Sequence, residues 1–150
     1  MPNFYFIKTR LKNKEIISSI KEYKAISIRP DLASLKGFIS AALLAAKADF
    51  SRHENVANDF AVQWICRIAC KRNINQALDF VMPKGDVVGI ASENPLPKSV
   101  LSKMGLPIKY SNSKTALQNI ASEYSIPPKA LEKYGLEDLL IEKSIVSMLE

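Results

Sequence analysis

The residues with the clearest chemical potential lie together in the stretch RIACKRNINQ, Arg67 to Gln76, where the cations Arg67, Lys71 and Arg72 run into the amides Asn73 and Gln76. Arg67 and Lys71 are one helical turn apart and share a face. A helix that ends in cations and meets the start of another helix brings positive side chains and unpaired backbone N–H groups to one place, which suits a phosphate. The same cations also answer the negative end of their own helix dipole. Local spacing leaves both readings open.

Other reactive side chains are sparse. His53 is the single histidine and sits in the polar run SRHENVAND beside Arg52 and Glu54, with no nucleophile near it; it is read as a solvent-exposed side chain without a role. Cys66 and Cys70, four apart in one helix, would hold their Cβ atoms ~6 Å apart, too far for a disulfide. They read as reduced, semi-buried thiols, since no third cysteine or nearby histidine completes a metal set. The chain has no glycine-rich phosphate loop, no HExxH and no paired CxxC, so neither catalysis nor a cofactor or metal is expected.

The elements that must position the junction follow from periodicity. Phe60, Ala61, Trp64, Ile65, Ile68 and Ala69 form the stripe of one helix, with Cys66 and Cys70 on its opposite side, so that helix should be covered on both faces. Asn73 and Gln76 form a capping pair for the next helix, striped by Ile74, Ala77, Leu78 and Val81 and ended by Pro83 to Gly85. Upstream, FYFIKTRL (4–11) suits a strand, and KNKEIISSIKEYK suits a helix with Ile16, Ile17 and Ile20 inward. AISIR (25–29) suits a second strand, closed by Pro30. Asp31 is expected to cap a helix over about 32–48 that carries Leu32, Leu35, Ile39, Leu43 and Ala46.

Downstream, 86–92 reads as a buried strand, followed by a short helix with Val100, Leu101 and Met104 that Gly105 stops. A last short strand is expected near Pro107 to Tyr110. Ser113 opens a helix bearing Leu117, Ile120, Ala121 and Tyr124, which Pro127 and Pro128 end. A helical turn to Tyr134 and the break at Gly135 lead into a final helix, with Glu137 and Asp138 at its positive end. That helix is apolar nearly all round, including Leu139, Leu140, Ile141, Ile145, Val146, Met148 and Leu149. It is either wrapped by the core or partly given to a partner.

At 150 residues a single domain is expected. Short strands, many helices and no regular alternation of the two point to α+β: a small, mostly antiparallel sheet packed with about seven helices. Lys and Arg outnumber Asp and Glu by 21 to 15, giving +6 and a pI near 9.3, a modest bias toward a polyanionic partner. No stretch reaches the ~18 apolar residues of a spanning helix, and the opening MPNFYFIKTR does not resemble a signal peptide, so the protein is expected to be cytoplasmic, with no membrane partner.

Three stretches together resemble the small subunit of the KEOPS complex, the PRPK-binding-protein (TPRKB) family. They are the helix and junction FAVQWICRIACKRNINQAL, with its Arg72-Asn73-Ile74 triplet; the strand DVVGIASEN with the following PKSVLSKMGL; and the ending SIPPKALEKYGLEDLLIEKSIVSMLE. The match in order and spacing runs from about residue 30 onward, and the compact length suits an archaeal member. Asn73 stands where the family's triplet often has Gln. The resemblance implies a subunit without chemistry of its own in the complex that makes threonylcarbamoyladenosine beside the tRNA anticodon. It would bind that complex's small atypical kinase-like ATPase and recruit tRNA through its 3′ CCA end.

On that basis Arg67, Lys71, Arg72, Asn73 and Gln76 are candidate tRNA-binding residues, with Lys71 and Arg72 on the terminal phosphates and Asn73 or Gln76 on a base edge or ribose. Leu140, Ile145 and Met148 are candidate contacts to the kinase-like partner. Two other classes remain open at this stage. A small enzyme would need a pocket of converging polar groups, and a stand-alone RNA-binding module would not discriminate among RNAs.

Overall fold

Three apolar segments of six, four and six residues build the centre of the molecule. The structure, a computed structural model, describes residues 1–149. Strands β1 (Asn3–Lys8), β2 (Ala25–Ile28), β3 (Val87–Ser92) and the two-residue β4 (Leu106–Pro107) form one antiparallel sheet in the order β2-β3-β1-β4. Successive side chains of a strand point to opposite faces, so Phe4 and Phe6 join the larger core while Tyr5 and Ile7 join the smaller one. The architecture is α+β, a single domain with nine α-helices among the described residues.

The smaller core lies under α1 (Asn13–Ile20) and α6 (Lys98–Met104) and is centred on Ile7, Ile16, Ile20 and Ile90. Of the three isoleucines expected inward on α1, Ile16 and Ile20 are fully buried but Ile17 is 45% exposed. The i and i+4 positions alone face the sheet in so short a helix. On the other face, α2 (Pro30–Ala33), α3 (Lys36–Ser51), α4 (Phe60–Ala69), α5 (Ile74–Val81), α7 (Lys114–Glu123) and α9 (Leu136–Leu149) enclose the larger core, with α8 (Pro128–Lys133) linking the last two. Trp64 is at its centre, its ring N–H donating to the Ile39 carbonyl at 3.1 Å.

Three expected boundaries change. The strand expected over 4–11 ends at Lys8. The helix expected over 32–48 is divided: α2 starts with Pro30 in its first turn, and Leu35 precedes a second start at Lys36. Asp31 is therefore inside the first turn rather than at the cap, and Arg29 holds its carboxylate through Nε (3.0 Å) and Nη2 (2.6 Å). The open N-terminus of α3 is satisfied from far along the chain, because the Glu137 carboxylate accepts the Phe38 N–H at 3.1 Å. The strand expected near Pro107 to Tyr110 shrinks to Leu106–Pro107. Beyond it the chain leaves the sheet, with Tyr110 stacked on Phe6 at 5.5 Å and the Asn112 amide donating to the Asp31 carbonyl and the Ser34 hydroxyl.

Two glycines permit close approach. A Cβ on Gly89 would fall 2.3 Å from that of Ala33, so the central strand can take α2 only without a side chain there; one on Gly105 would fall 2.1 Å from the Lys8 carbonyl oxygen, where β4 meets β1. Among the described residues, no helix is long and apolar enough to cross a membrane.

Candidate functional site

α4 ends as the sequence implies, although with cysteine rather than glycine at the reversal. Cys70 adopts the left-handed conformation (φ +57°), its N–H reaching the Arg67 carbonyl while the Lys71 N–H reaches that of Cys66. Both hydrogen bonds close helix carbonyls that would otherwise be orphaned. The reversal delivers Lys71, Arg72 and Asn73 into the start of α5. There the Asn73 side-chain oxygen accepts the Gln76 N–H at 3.0 Å, while the Ile74 and Asn75 amides have no partner within the helix.

The five residues grouped by the sequence then part company. Arg67 is committed inward: its side chain is 14% exposed, and Nε and Nη2 donate to the two oxygens of Asp49 at 2.8 and 2.5 Å, with Nη1 reaching the Ser144 carbonyl at 3.4 Å. Lys71 lies over the Phe80 ring, 5.5 Å from its centre, which Arg29 also approaches. Arg72 is exposed and donates to the Met148 carbonyl at 3.1 Å, answering the C-terminal end of α9. Asn73 has its oxygen occupied by the cap and only its NH2 group left to offer, whereas Gln76 is exposed with a free side chain.

Behind Arg67 runs a buried polar chain that joins four segments. Gln63, fully buried, accepts the Val56 and Ala57 N–H groups and donates to Asp49 at 2.7 Å; Asp49 takes Arg67; the Ser144 hydroxyl on α9 donates to the Arg67 carbonyl at 2.8 Å. Burial by itself would push the Asp49 carboxyl up. The hydrogen bonds from Arg67 and Gln63, together with the positive charges of Arg67 and Arg52, hold it below its ordinary value instead.

Around this chain is a cleft of about 560 Å³ whose walls include Asp49, Arg52, Arg67, Arg72, Ile145 and Met148. Residues expected at two separate places, the junction and the apolar helix, thus share one concavity. Arg52, at the end of α3, belongs to it and is not marked by any motif. Asp49 carried a readable sign: it continues the spacing of Leu43 and Ala46, so a carboxylate falls on a core stripe and requires a partner.

The C-terminal helix divides differently from expectation. Leu140 is fully buried in the larger core and reaches no surface, so it is corrected from a contact residue to a supporting one. Ile145 and Val146 are 52% and 49% exposed, and Met148 is half-buried against the core. The side chain of Leu149 and all of Glu150 lie outside the described residues. Of the cysteines, Cys66 is buried and Cys70 half-buried, both free; burial pushes the Cys70 thiol up to about 11, against smaller lowering effects of Ser144, Lys143, Lys71 and Arg67. His53 is exposed on the loop after α3. The chain matches no family model and no curated protein sequence.

Proposed function

We propose that this chain is a non-catalytic subunit of the KEOPS complex, recruiting tRNA through its 3′ CCA end and binding the complex's kinase-like ATPase. The supporting observation is the shared cleft, where the exposed guanidinium of Arg72 and the cation of Arg52 stand beside the apolar walls of Ile145 and Met148. A single-stranded 3′ end offers phosphates, 2′-hydroxyls and unstacked bases, and its recognition requires cations next to apolar surface. Lys71, Gln76 and the remaining NH2 of Asn73 are not among the cleft's walls; at the start of α5 they offer the RNA further polar contacts beyond it. Arg67 serves this site as a positioning residue, because Asp49 takes its Nε and Nη2 and the Ser144 carbonyl its Nη1. The kinase-like partner docks along the outer face of α9, through Ile145 and Met148, with Leu140 holding the helix from beneath.

The test is a mobility-shift titration of the full chain with whole tRNA and with tRNA lacking its CCA end, at one salt concentration. The wild type should prefer whole tRNA by at least tenfold, and Lys71→Glu with Arg72→Glu should abolish the difference. Each lost phosphate contact should also flatten the log–log salt dependence by ~0.7. Equal affinity for the two RNAs would instead mark a stand-alone RNA-binding module, and unchanged binding by the charge-reversed protein removes the junction from the site. Docking has its own assay: Ile145→Asp, at an already exposed position that also walls the cleft, should prevent co-purification with the kinase-like subunit and weaken tRNA binding as well.

A further inference from the structure

A second cavity, of about 610 Å³, is lined by four consecutive residues of β1, Phe4 to Ile7. A surface over a sheet face meets alternate residues only, so a cavity touching four in a row runs along the strand's edge. Register fixes which backbone groups open into it. Thr9 N–H donates to the Asp86 carbonyl on the β3 side, while the Phe6 carbonyl accepts from Ile108 N–H on the other side. With a period of two, Phe4 turns its N–H and carbonyl toward the cavity, as Phe6 does its N–H. β4 pairs only with Ile7 and Lys8. Among the described residues, those groups of Phe4 and Phe6 have no hydrogen-bond partner.

An open strand edge beside apolar surface is suited to one more strand. The far wall supplies the apolar part: Leu101 from α6 and Leu106 from β4, the latter 70% exposed. The charge has one sign: Lys98 is the only charged residue in the lining, which holds no Asp or Glu.

We infer that this margin is a docking edge for an extended acidic segment of a partner protein, added as a fifth strand along the Phe4–Phe6 stretch of β1. Backbone pairing to the Phe4 N–H and carbonyl and to the Phe6 N–H holds the segment, alternate apolar side chains rest on Leu101 and Leu106, and a flanking carboxylate meets Lys98. A nucleic acid would use the charge but would leave the backbone edge unpaired, so the peptide is the better occupant. The inference is independent of the tRNA reading, which concerns the cleft between α3, α4 and α9.

The probe is a labelled peptide of about eight residues, alternating aspartate with valine or isoleucine. Its comparison is the same peptide methylated on alternate backbone nitrogens, which keeps charge and side chains but removes the pairing donors. Fluorescence anisotropy on the full chain should show saturable binding, weakened at least tenfold by the methylation and by Leu106→Asp. Hydrogen exchange at the Phe4 and Phe6 amides should slow when the peptide is bound. Leu106→Asp should leave tRNA binding unchanged, which separates failure here from failure of the function proposed above. The inference is overturned if the methylated peptide binds as well as its parent, if the peptide does not bind, or if a single-stranded oligonucleotide of equal charge outcompetes it. Slowing of the same amides with rising concentration of the protein alone would assign the edge to a second copy of this chain and overturn it too.

Discussion

Replacing Arg67 with methionine should cost about 3–5 kcal/mol, because it leaves a buried carboxylate without its counter-ion. Asp49 exposes 4% of its side chain and accepts three hydrogen bonds, two of them from Arg67. After the change only Gln63 remains to it. Against a total stability of roughly 5–15 kcal/mol, that loss brings the protein close to unfolding, and with a urea slope of ~2 kcal/mol/M the midpoint should fall by about 2 M. The pH dependence has a definite sign. In the wild type the folded carboxyl is held below its ordinary value. Its contribution is therefore complete above ~3.9, the unfolded value, and is lost as pH falls through the lower folded value. In the variant the main lowering partner is gone and burial raises the carboxyl, so protonation relieves the penalty as the solution is acidified. The stability gap between the two proteins should narrow from pH 7 to pH 4. Asp49→Leu combined with Arg67→Met should recover most of the loss, since a packed apolar pair replaces the ions. A loss under ~1 kcal/mol at pH 7, or a gap that stays constant down to pH 4, refutes the assignment of Arg67 to an internal ion pair.

Two further outcomes follow from local geometry. Cys70, with its thiol pushed up to about 11, should alkylate at pH 8 roughly a hundred-fold more slowly than an unperturbed cysteine and accelerate steadily with rising pH, as followed by mass spectrometry with iodoacetamide; a rate matching the free thiol contradicts the burial argument. Gly89→Ala must separate α2 from the sheet and should lower Tm by roughly 3–10 °C in a calorimetric scan. Gly85→Ala, where an added Cβ meets nothing within 4 Å, should stay within about 0.5 kcal/mol of wild type.

What could be read from the sequence is what depends on neighbours in the chain. The Asn73 cap on Gln76 and the Ser113 cap on Ala116 are observed because both halves of each hydrogen bond lie three residues apart. The break between α2 and α3 was hidden because the group that satisfies the new helix start, Glu137, comes from 99 residues away. Leu140 was misplaced for a different reason. A helix apolar on all sides carries no phase, so periodicity does not say which side is covered. The covered side is set by tertiary contacts, among them the Ser144 hydroxyl on the Arg67 carbonyl. Arg67 and Lys71 share a helix face in projection, yet the Cys70 reversal and the pull of Asp49 send one inward and the other over Phe80.

The buried chain from Gln63 through Asp49 and Arg67 to Ser144 also determines how changes in the cleft must be interpreted. Arg72 reaches the Met148 carbonyl because α9 lies where Ser144 and Arg67, with Leu140 beneath, hold it. Loss of Gln63 or Ser144, neither of which lines the cleft, would therefore move Ile145, Met148 and Arg72 together without either deleted group touching a ligand. Residues in contact within one network do not contribute additively. A binding defect from a network residue should thus scale with lost stability and be rescued by conditions that stabilise the fold. A defect from Arg72 or Lys71, whose side chains lie outside the network, should appear at unchanged stability and respond to salt. That difference in response, more than the size of any single loss, separates the residues that meet a ligand from those that hold the cleft open for it.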